Sequence, residues 1–255
     1  MGHARYLCGV ALLIAVGCGG DDGGEDVIEF GEVTVDLDLA ETGTRATEAL
    51  IGNLVADAYA DAVEGDDVDF AFVGGGGLRC PEELDAVQCE GFSIRAGIVT
   101  SADLEIVLPF DNELVIKEIT GDQLVSTLER SVSVIPSERK GYFLHPSASL
   151  RYAADCAQAA QTINADGTVI ESEGMRITSV TVDGVDVEPT STYRVATTAF
   201  VAAGSDGHVQ LGEAAPTETT GLREQGTVGS YISANSPVTP VLDGRISLTA
   251  ACNIQ

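Results

Sequence analysis

Histidine and positive charge are both scarce in this sequence, and each shortage closes off a class of function. The 255 residues hold 3 histidines, and one of them, His3, sits at the very start. A two-metal hydrolytic centre takes several closely placed histidines and carboxylates. His145 and His208, far apart in the chain, cannot build one. Lysine and arginine together number 13 against 40 aspartates and glutamates, a formal charge of −27. A field of that sign repels nucleic acid and anionic membrane surfaces, so a nucleic-acid partner is not expected. A small anionic ligand would have to be held by local positive charge, which gives weight to any arginine in a cleft. The sequence also lacks EF-hand, P-loop, nucleophile-elbow and H-E-x-x-H motifs.

A long apolar run is missing too. Leu7 to Val16 is mostly apolar but too short to span a bilayer, and it follows a basic start at His3 and Arg5. It reads as a secretory signal over residues 1–17. The run ends Ala15-Val16-Gly17-Cys18, small residues before a cysteine, as in a bacterial lipobox with Cys18 lipidated. An ordinary cleaved signal is the alternative. The acidic, glycine-rich stretch Gly19–Asp26 favours the first reading, as a flexible tether over residues 18–30. Either way the mature protein is expected to be exported without a transmembrane helix, and in the lipobox reading it is held in the bacterial envelope by its lipid anchor alone.

With Cys8 in the signal and Cys18 lipidated, Cys80, Cys89, Cys156 and Cys252 remain. An even number in an exported chain suggests two disulfides. Cys80–Cys89 is the natural local clip, which leaves Cys156–Cys252. A zinc site is the rival, but no C-x-x-C pair occurs.

The alternation Val33-Thr34-Val35-Asp36-Leu37 predicts a first strand. An amphipathic stripe, Leu50, Leu54, Ala58 and Ala62 with Ile51, Val55 and Tyr59 beside it, predicts a helix from about Arg45 to Val63. A buried strand over Val68–Phe72 leads into Val73-Gly-Gly-Gly-Gly-Leu-Arg79, and Cys80–Arg95 reads as a polar insertion. Ala102–Val107 is a helical turn, Leu114–Ile119 a strand, and Thr120-Gly-Asp-Gln123 a capping box opening a helix to about Val132. Strands are expected at Ser149–Ala153, Ile177–Val182, Tyr193–Thr198 and Arg245–Thr249, with a last helix near Thr227–Ala234. Strands and helices without regular βαβ spacing predict an α+β domain with a mixed sheet.

Two stretches carry candidate chemistry. The glycines of Gly74–Gly77 let backbone N–H groups approach an anion, and Arg79 adds a fork of donors for phosphate or carboxylate. The plainer reading is a space-saving turn. Phe200-Val-Ala-Ala-Gly-Ser-Asp206-Gly-His208 sets a ring and a carboxylate on one tight loop after a strand, suited to stacking on a flat ligand and accepting from hydroxyls. A core phenylalanine and a turn-capping aspartate would read the same way. Pro109-Phe110 sets another ring at a loop mouth.

In order along the chain, these pieces resemble the C-terminal domain of the 5'-nucleotidase and UDP-sugar hydrolase family. The matching runs begin with Arg45-Ala-Thr-Glu48-Ala-Leu-Ile-Gly52-Asn53-Leu54-Val-Ala-Asp57-Ala58 and Gly75-Gly76-Gly77-Leu78-Arg79. Gly97-Ile-Val-Thr100, Val107-Leu-Pro109-Phe110-Asp-Asn112, Thr120-Gly121-Asp-Gln-Leu124 and Leu128-Glu129 follow. Gly141-Tyr-Phe-Leu144, Leu150-Arg151-Tyr152, Tyr193-Arg-Val-Ala-Thr197, Phe200, Gly204, Asp206 and Gly207 complete the series.

The resemblance implies a three-layer α+β domain over residues 31–255, a mixed β-sheet with flanking helices. It implies that Arg45 and Arg79, with the loop Gly75, Gly76 and Gly77, hold a substrate phosphate. Phe110 and Phe200 would sandwich a base and Asp206 would bind ribose. The ligand would be a nucleotide or nucleoside. The family's catalytic metals and histidine belong to an N-terminal domain that residues 1–44 are too few to form. No cofactor is therefore expected in this chain, and divalent metals would come only with a separate metallophosphatase chain. Three positions depart from the pattern. Gly74 stands where the family has a ligand-binding Asn, Ser205 replaces a glycine, and His208 stands where an aromatic often follows. The alternative is a surface or interaction protein that keeps the fold without the ligand. A hydrolase complete in this chain is the least supported reading.

Overall fold

Side chains on β3 (Phe70–Gly74) alternate between two cores, which places this strand in the middle of the protein. Ala71 and Val73 face one hydrophobic cluster, and Phe70 and Phe72 face the other, as the period-two geometry of a strand requires. The structure, a computed structural model, describes residues 26–214 and 217–253. The signal, Cys8 and Cys18 lie outside the described residues.

Before β3 come β1 (Glu29–Val33), β2 (Leu37–Asp38), α1 (Glu41–Thr44) and α2 (Leu50–Ala62). After it come α3 (Ala86–Cys89), β4 (Ser93–Ile94), β5 (Gly97–Thr100), α4 (Ser101–Val107), β6 (Glu113–Thr120), α5 (Gly121–Ser131), β7 (Leu144–Pro146) and β8 (Leu150–Ala154). The hairpin β9 (Thr162–Ile163) and β10 (Ile170–Ser172) precedes β11 (Ile177–Val182), β12 (Val185–Asp186) and β13 (Thr192–Thr198). Then follow α6 (Ala199–Ala202), α7 (Val209–Glu213), β14 (Glu218–Arg223), α8 (Glu224–Asn235) and β15 (Ile246–Leu248).

A five-stranded sheet in the order β14-β6-β13-β3-β7 forms the middle layer, and β13 and β3 are its parallel pair. Its other neighbours are antiparallel, so the sheet is mixed. Helices α2, α4 and α8 cover one face through Leu54, Val55, Leu104, Val228 and Ile232. Helix α5 and the second sheet, β12-β11-β8-β15, cover the other through Leu124, Leu128, Tyr152 and Val180. The α+β three-layer expectation holds. Both disulfides form as paired in the sequence reading, Cys80–Cys89 and Cys156–Cys252.

Three element boundaries differ from the sequence reading. The helix expected from Arg45 begins only at Leu50, and Arg45 instead caps the end of the separate short helix α1. The alternation Val33–Leu37 is interrupted at residues 34–36, which join β1 to β2. Helix α8 starts a turn earlier than Thr227, at Glu224, with no side chain capping it.

Candidate functional site

Parallel strands β3 and β13 end side by side, and a cavity of about 370 Å³ opens at those ends. Crevices at the carboxyl ends of parallel strands are where loops from several elements can meet around a ligand. From the end of β3 come Gly74, Gly76, Gly77 and Arg79, and from the end of β13 come Thr198, Phe200 and Asp206. Arg45 enters from the α1–α2 junction, Phe110 and Asn112 from the loop before β6, and Glu224 from the first turn of α8.

Within the glycine run, Gly75 and Gly76 are engaged by the fold itself. The N–H groups of Gly75 and Gly76 are taken by the carbonyls of Phe143 and Gly141, both at 2.7 Å, so they are not free to cradle an anion. A Cβ on Gly75 would lie 2.0 Å from the Thr44 carbonyl oxygen, and one on Gly76 would lie 2.8 Å from the Gly141 Cα. These glycines let three backbone segments pack together, and Gly75 itself does not line the cavity. This packing is what the plainer space-saving reading describes, and among the cavity's glycine-loop neighbours the positive charge comes from Arg45 and Arg79.

Arg45 pairs with Glu41 at 2.6 Å, while its Nε is buried with no partner. Burial lowers its pKa, Glu41 opposes that, and Arg79 and Asp206 act on it from across the cavity. Arg79 makes no ion pair among the described residues, and its guanidinium lies 5.8 Å from the centroid of the Phe110 ring. Phe110 is 56% exposed and Phe200 49%, large apolar side chains held at a cavity mouth. Phe200 takes that position because Thr198 caps α6, accepting from the Val201 N–H at 3.3 Å, so the chain turns sharply off β13.

Asp206 sits in the left-handed region at φ 60°, between Gly204 at 81° and Gly207 at 80°. A Cβ at position 207 would lie 2.4 Å from the Ile163 Cδ1, so that side chain would have to move. Arg130 holds the loop by donating from Nε to the Asp206 carbonyl at 2.9 Å, with its guanidinium 3.6 Å above the Tyr142 ring. Desolvation of its carboxyl in the cavity raises the Asp206 pKa, against the pull of Arg130 and Arg45. His208 follows, buried, with both ring nitrogens unpartnered.

Sequence reasoning missed Glu224 and gave Asn112 no role. Glu224 is 1% exposed and accepts three hydrogen bonds, from the Tyr59 hydroxyl and from the backbone and side-chain amides of Asn112. Burial raises its pKa, and those donors oppose the rise. In the sequence Glu224 reads as an ordinary acid opening a helix, and its partners lie 112 and 165 residues away.

The insertion Cys80–Arg95 contributes nothing to this cavity. It walls an adjoining open cleft of about 720 Å³ with Glu82, Glu83 and Asp85, sharing Arg45, Arg79 and Phe110 with the first cavity. The described residues do not fit a dimetal centre. The His145 ring donates from Nε2 to the Thr44 carbonyl at 2.7 Å, His208 is buried, and no group of three or more His, Cys, Asp or Glu among the described residues is placed to hold a metal ion. Among them, too, no helix is long and apolar enough to cross a membrane.

The family model described as "5'-nucleotidase, C-terminal domain" matches residues 29–213. The chain belongs to this family. It is 29% identical over 230 residues to a snake venom 5'-nucleotidase from Naja atra, covering 87% of this chain and 40% of that protein. The protein UshA of Escherichia coli is 25% identical over 83% of this chain and 32% of its own length. The crystal structure of a 5'-nucleotidase precursor from Thermus thermophilus superposes with a TM-score of 0.74 at 29% identity, covering 88% of this chain and 40% of that one. An NAD nucleotidase from Haemophilus influenzae shares the fold, with a TM-score of 0.67 at 20% identity over 86% of this chain and 38% of that one. The chain thus spans well under half the length of each of these relatives.

Proposed function

We propose that this domain binds a nucleotide or nucleoside, with phosphate on Arg45 and Arg79, the base between Phe110 and Phe200, and the ribose hydroxyls on Asp206. The observation that carries the reading is the convergence of these five side chains on one cavity although they span residues 45 to 206. The buried, unpartnered Nε of Arg45 is a donor awaiting an acceptor. Exposed rings facing a cavity are suited to a flat ligand.

In this reading the protein is exported, anchored through lipid on Cys18, and serves as the recognition half of a nucleotide-hydrolysing system. A separate metallophosphatase chain would supply the divalent metals. What supports that division is that no group of three or more His, Cys, Asp or Glu among the described residues is placed to hold a metal ion. Gly74 favours a second reading, in which the fold persists without the ligand, because it offers no side chain where the family offers one.

A thermal-shift screen over nucleotides, nucleosides and inorganic phosphate tests the proposal. A nucleotide at a hundred times its Kd should stabilise the protein by about 2.7 kcal/mol, and Arg79→Ala should cut this to between about 1.4 and 0.4 kcal/mol at the same concentration. No shift with any nucleotide would favour the ligand-free reading.

Gly74→Asn is expected to tighten binding. A Cβ there would meet its neighbours at 3.5 Å, ordinary contact, and the backbone is extended at φ −76°, so position 74 accepts a Cβ without strain. One restored hydrogen bond is worth about 1 kcal/mol, a severalfold gain in affinity by titration calorimetry. Unchanged affinity would show that position 74 does not meet the ligand.

A further inference from the structure

We propose that Glu224 and Asn112 make the cavity selective for a base that carries an exocyclic amino group over one that carries an oxo group at the same place. The inference rests on the nucleotide reading above and concerns which bases the cavity accepts.

Glu224 lines the cavity from the start of α8, and Asn112 lines it from the loop that carries Phe110. An ionised carboxylate accepts hydrogen bonds and donates none. The side-chain amide of Asn112 therefore turns its nitrogen toward Glu224, and Nδ2 donates to Oε2 at 2.8 Å. The same oxygen accepts the Asn112 backbone N–H at 2.7 Å, and Oε1 accepts the Tyr59 hydroxyl. With its nitrogen committed, Asn112 has its carbonyl oxygen Oδ1 left over, without a partner among the described residues.

The arrangement is fixed from several directions. The Glu224 N–H returns a bond to the Asn112 carbonyl at 3.1 Å. Asp111, in the left-handed region at φ 41°, accepts from Arg223 Nε at 2.8 Å and from the Gln225 N–H at 3.0 Å. Gln225 in turn donates to the Leu108 carbonyl at 3.0 Å. Segment 108–112 is thus tied to the first turn of α8 on both sides of Phe110, and Asn112 cannot turn its amide over without breaking its bond to a buried carboxylate.

Beside the Phe110 ring the cavity therefore presents an acceptor, Asn112 Oδ1, held there by Glu224. An amino group on a base stacked there finds an acceptor for one of its N–H bonds. An oxo group in its place faces oxygen with oxygen and leaves both unpaired, the situation in which a hydrogen-bonding site discriminates strongly. Glu224 is a positioning residue, acting on the ligand through Asn112.

The test is calorimetry on the intact protein with adenosine 5'-monophosphate and inosine 5'-monophosphate, whose bases differ by amino against oxo. The wild type is expected to bind the adenosine nucleotide at least tenfold more tightly. Asn112→Ala and Glu224→Ala should each bring the ratio to within about threefold. A merely structural role for Glu224 would weaken both ligands alike and leave the ratio standing. Wild-type affinities within twofold of each other, both reduced by Arg79→Ala, would overturn this inference and leave the nucleotide reading intact. Binding of neither nucleotide would overturn both. Should Glu224→Ala fail to fold, the wild-type ratio and its loss in Asn112→Ala still decide the matter.

Discussion

Lowering the pH from 6.5 toward 4 is expected to cost the fold on the order of 3 kcal/mol for each of two histidines, His145 and His208. Burial pushes His145 down from 6.5 to about 4 and His208 down to about 3. An unfolded histidine takes up its proton near 6.5, so in this window the unfolded chain binds more protons than the folded one. Stability present above pH 6.5 is therefore lost as the pH falls through it. The site should suffer first, since His145 holds the Thr44 carbonyl beside Arg45 and His208 closes the Asp206 loop. Urea midpoints of the wild type and His208→Leu at pH 7, 5.5 and 4.5 check this. The variant should lose stability less steeply, by about 1.4 kcal/mol per pH unit. Carboxylates and overall charge act in both proteins and drop out of the comparison. Parallel profiles would contradict a neutral, buried His208.

The disulfide Cys156–Cys252 should be the next largest contribution. It joins positions 96 apart in sequence, against 9 for Cys80–Cys89. Loop-closure entropy gives about 4–5 kcal/mol for the long loop and about 2–3 kcal/mol for the short one. The long bridge also ties the end of β8 to the chain just after β15, its parallel neighbour in the second sheet. Replacing Cys156 and Cys252 together by serine should lower Tm on the order of 10 °C, and the same change at Cys80 and Cys89 should cost roughly half as much. An equal or larger loss at the short bridge would show that the insertion stabilises the fold by other means.

What could be read from the sequence follows from where its signals are local. The stripe on α2 and the capping box at Thr120 carry their periodicity or spacing within a dozen residues, and both elements form. The starts of α2 and α8 could not be read, because Ala49 and Arg223 precede them without a capping side chain. Phe110, Phe200, Asp206 and the two arginines were visible through family motifs, and the structure brings them to one cavity. The contact of Glu224 with Asn112 and Tyr59 joins segments far apart in sequence, and no spacing rule records it. The packing of Gly75 and Gly76 was not legible for a different reason. The composition of the glycine loop permits either an anion cradle or close packing, and the choice depends on Thr44 and Gly141, which face it only in the folded chain.

The central claim is that Arg79 and its cavity hold a nucleotide by its phosphate. Titration calorimetry with adenosine 5'-monophosphate, at protein concentrations approaching millimolar, tests it most directly when wild type and Arg79→Ala are compared. Loss of a hydrogen bond to a charged group costs about 1.5–3 kcal/mol, so the variant should bind roughly tenfold to a hundredfold more weakly. Adenosine, lacking the phosphate, should bind the two proteins equally. Nucleotide heat that survives Arg79→Ala unchanged, or no heat from the wild type at all, would contradict the account.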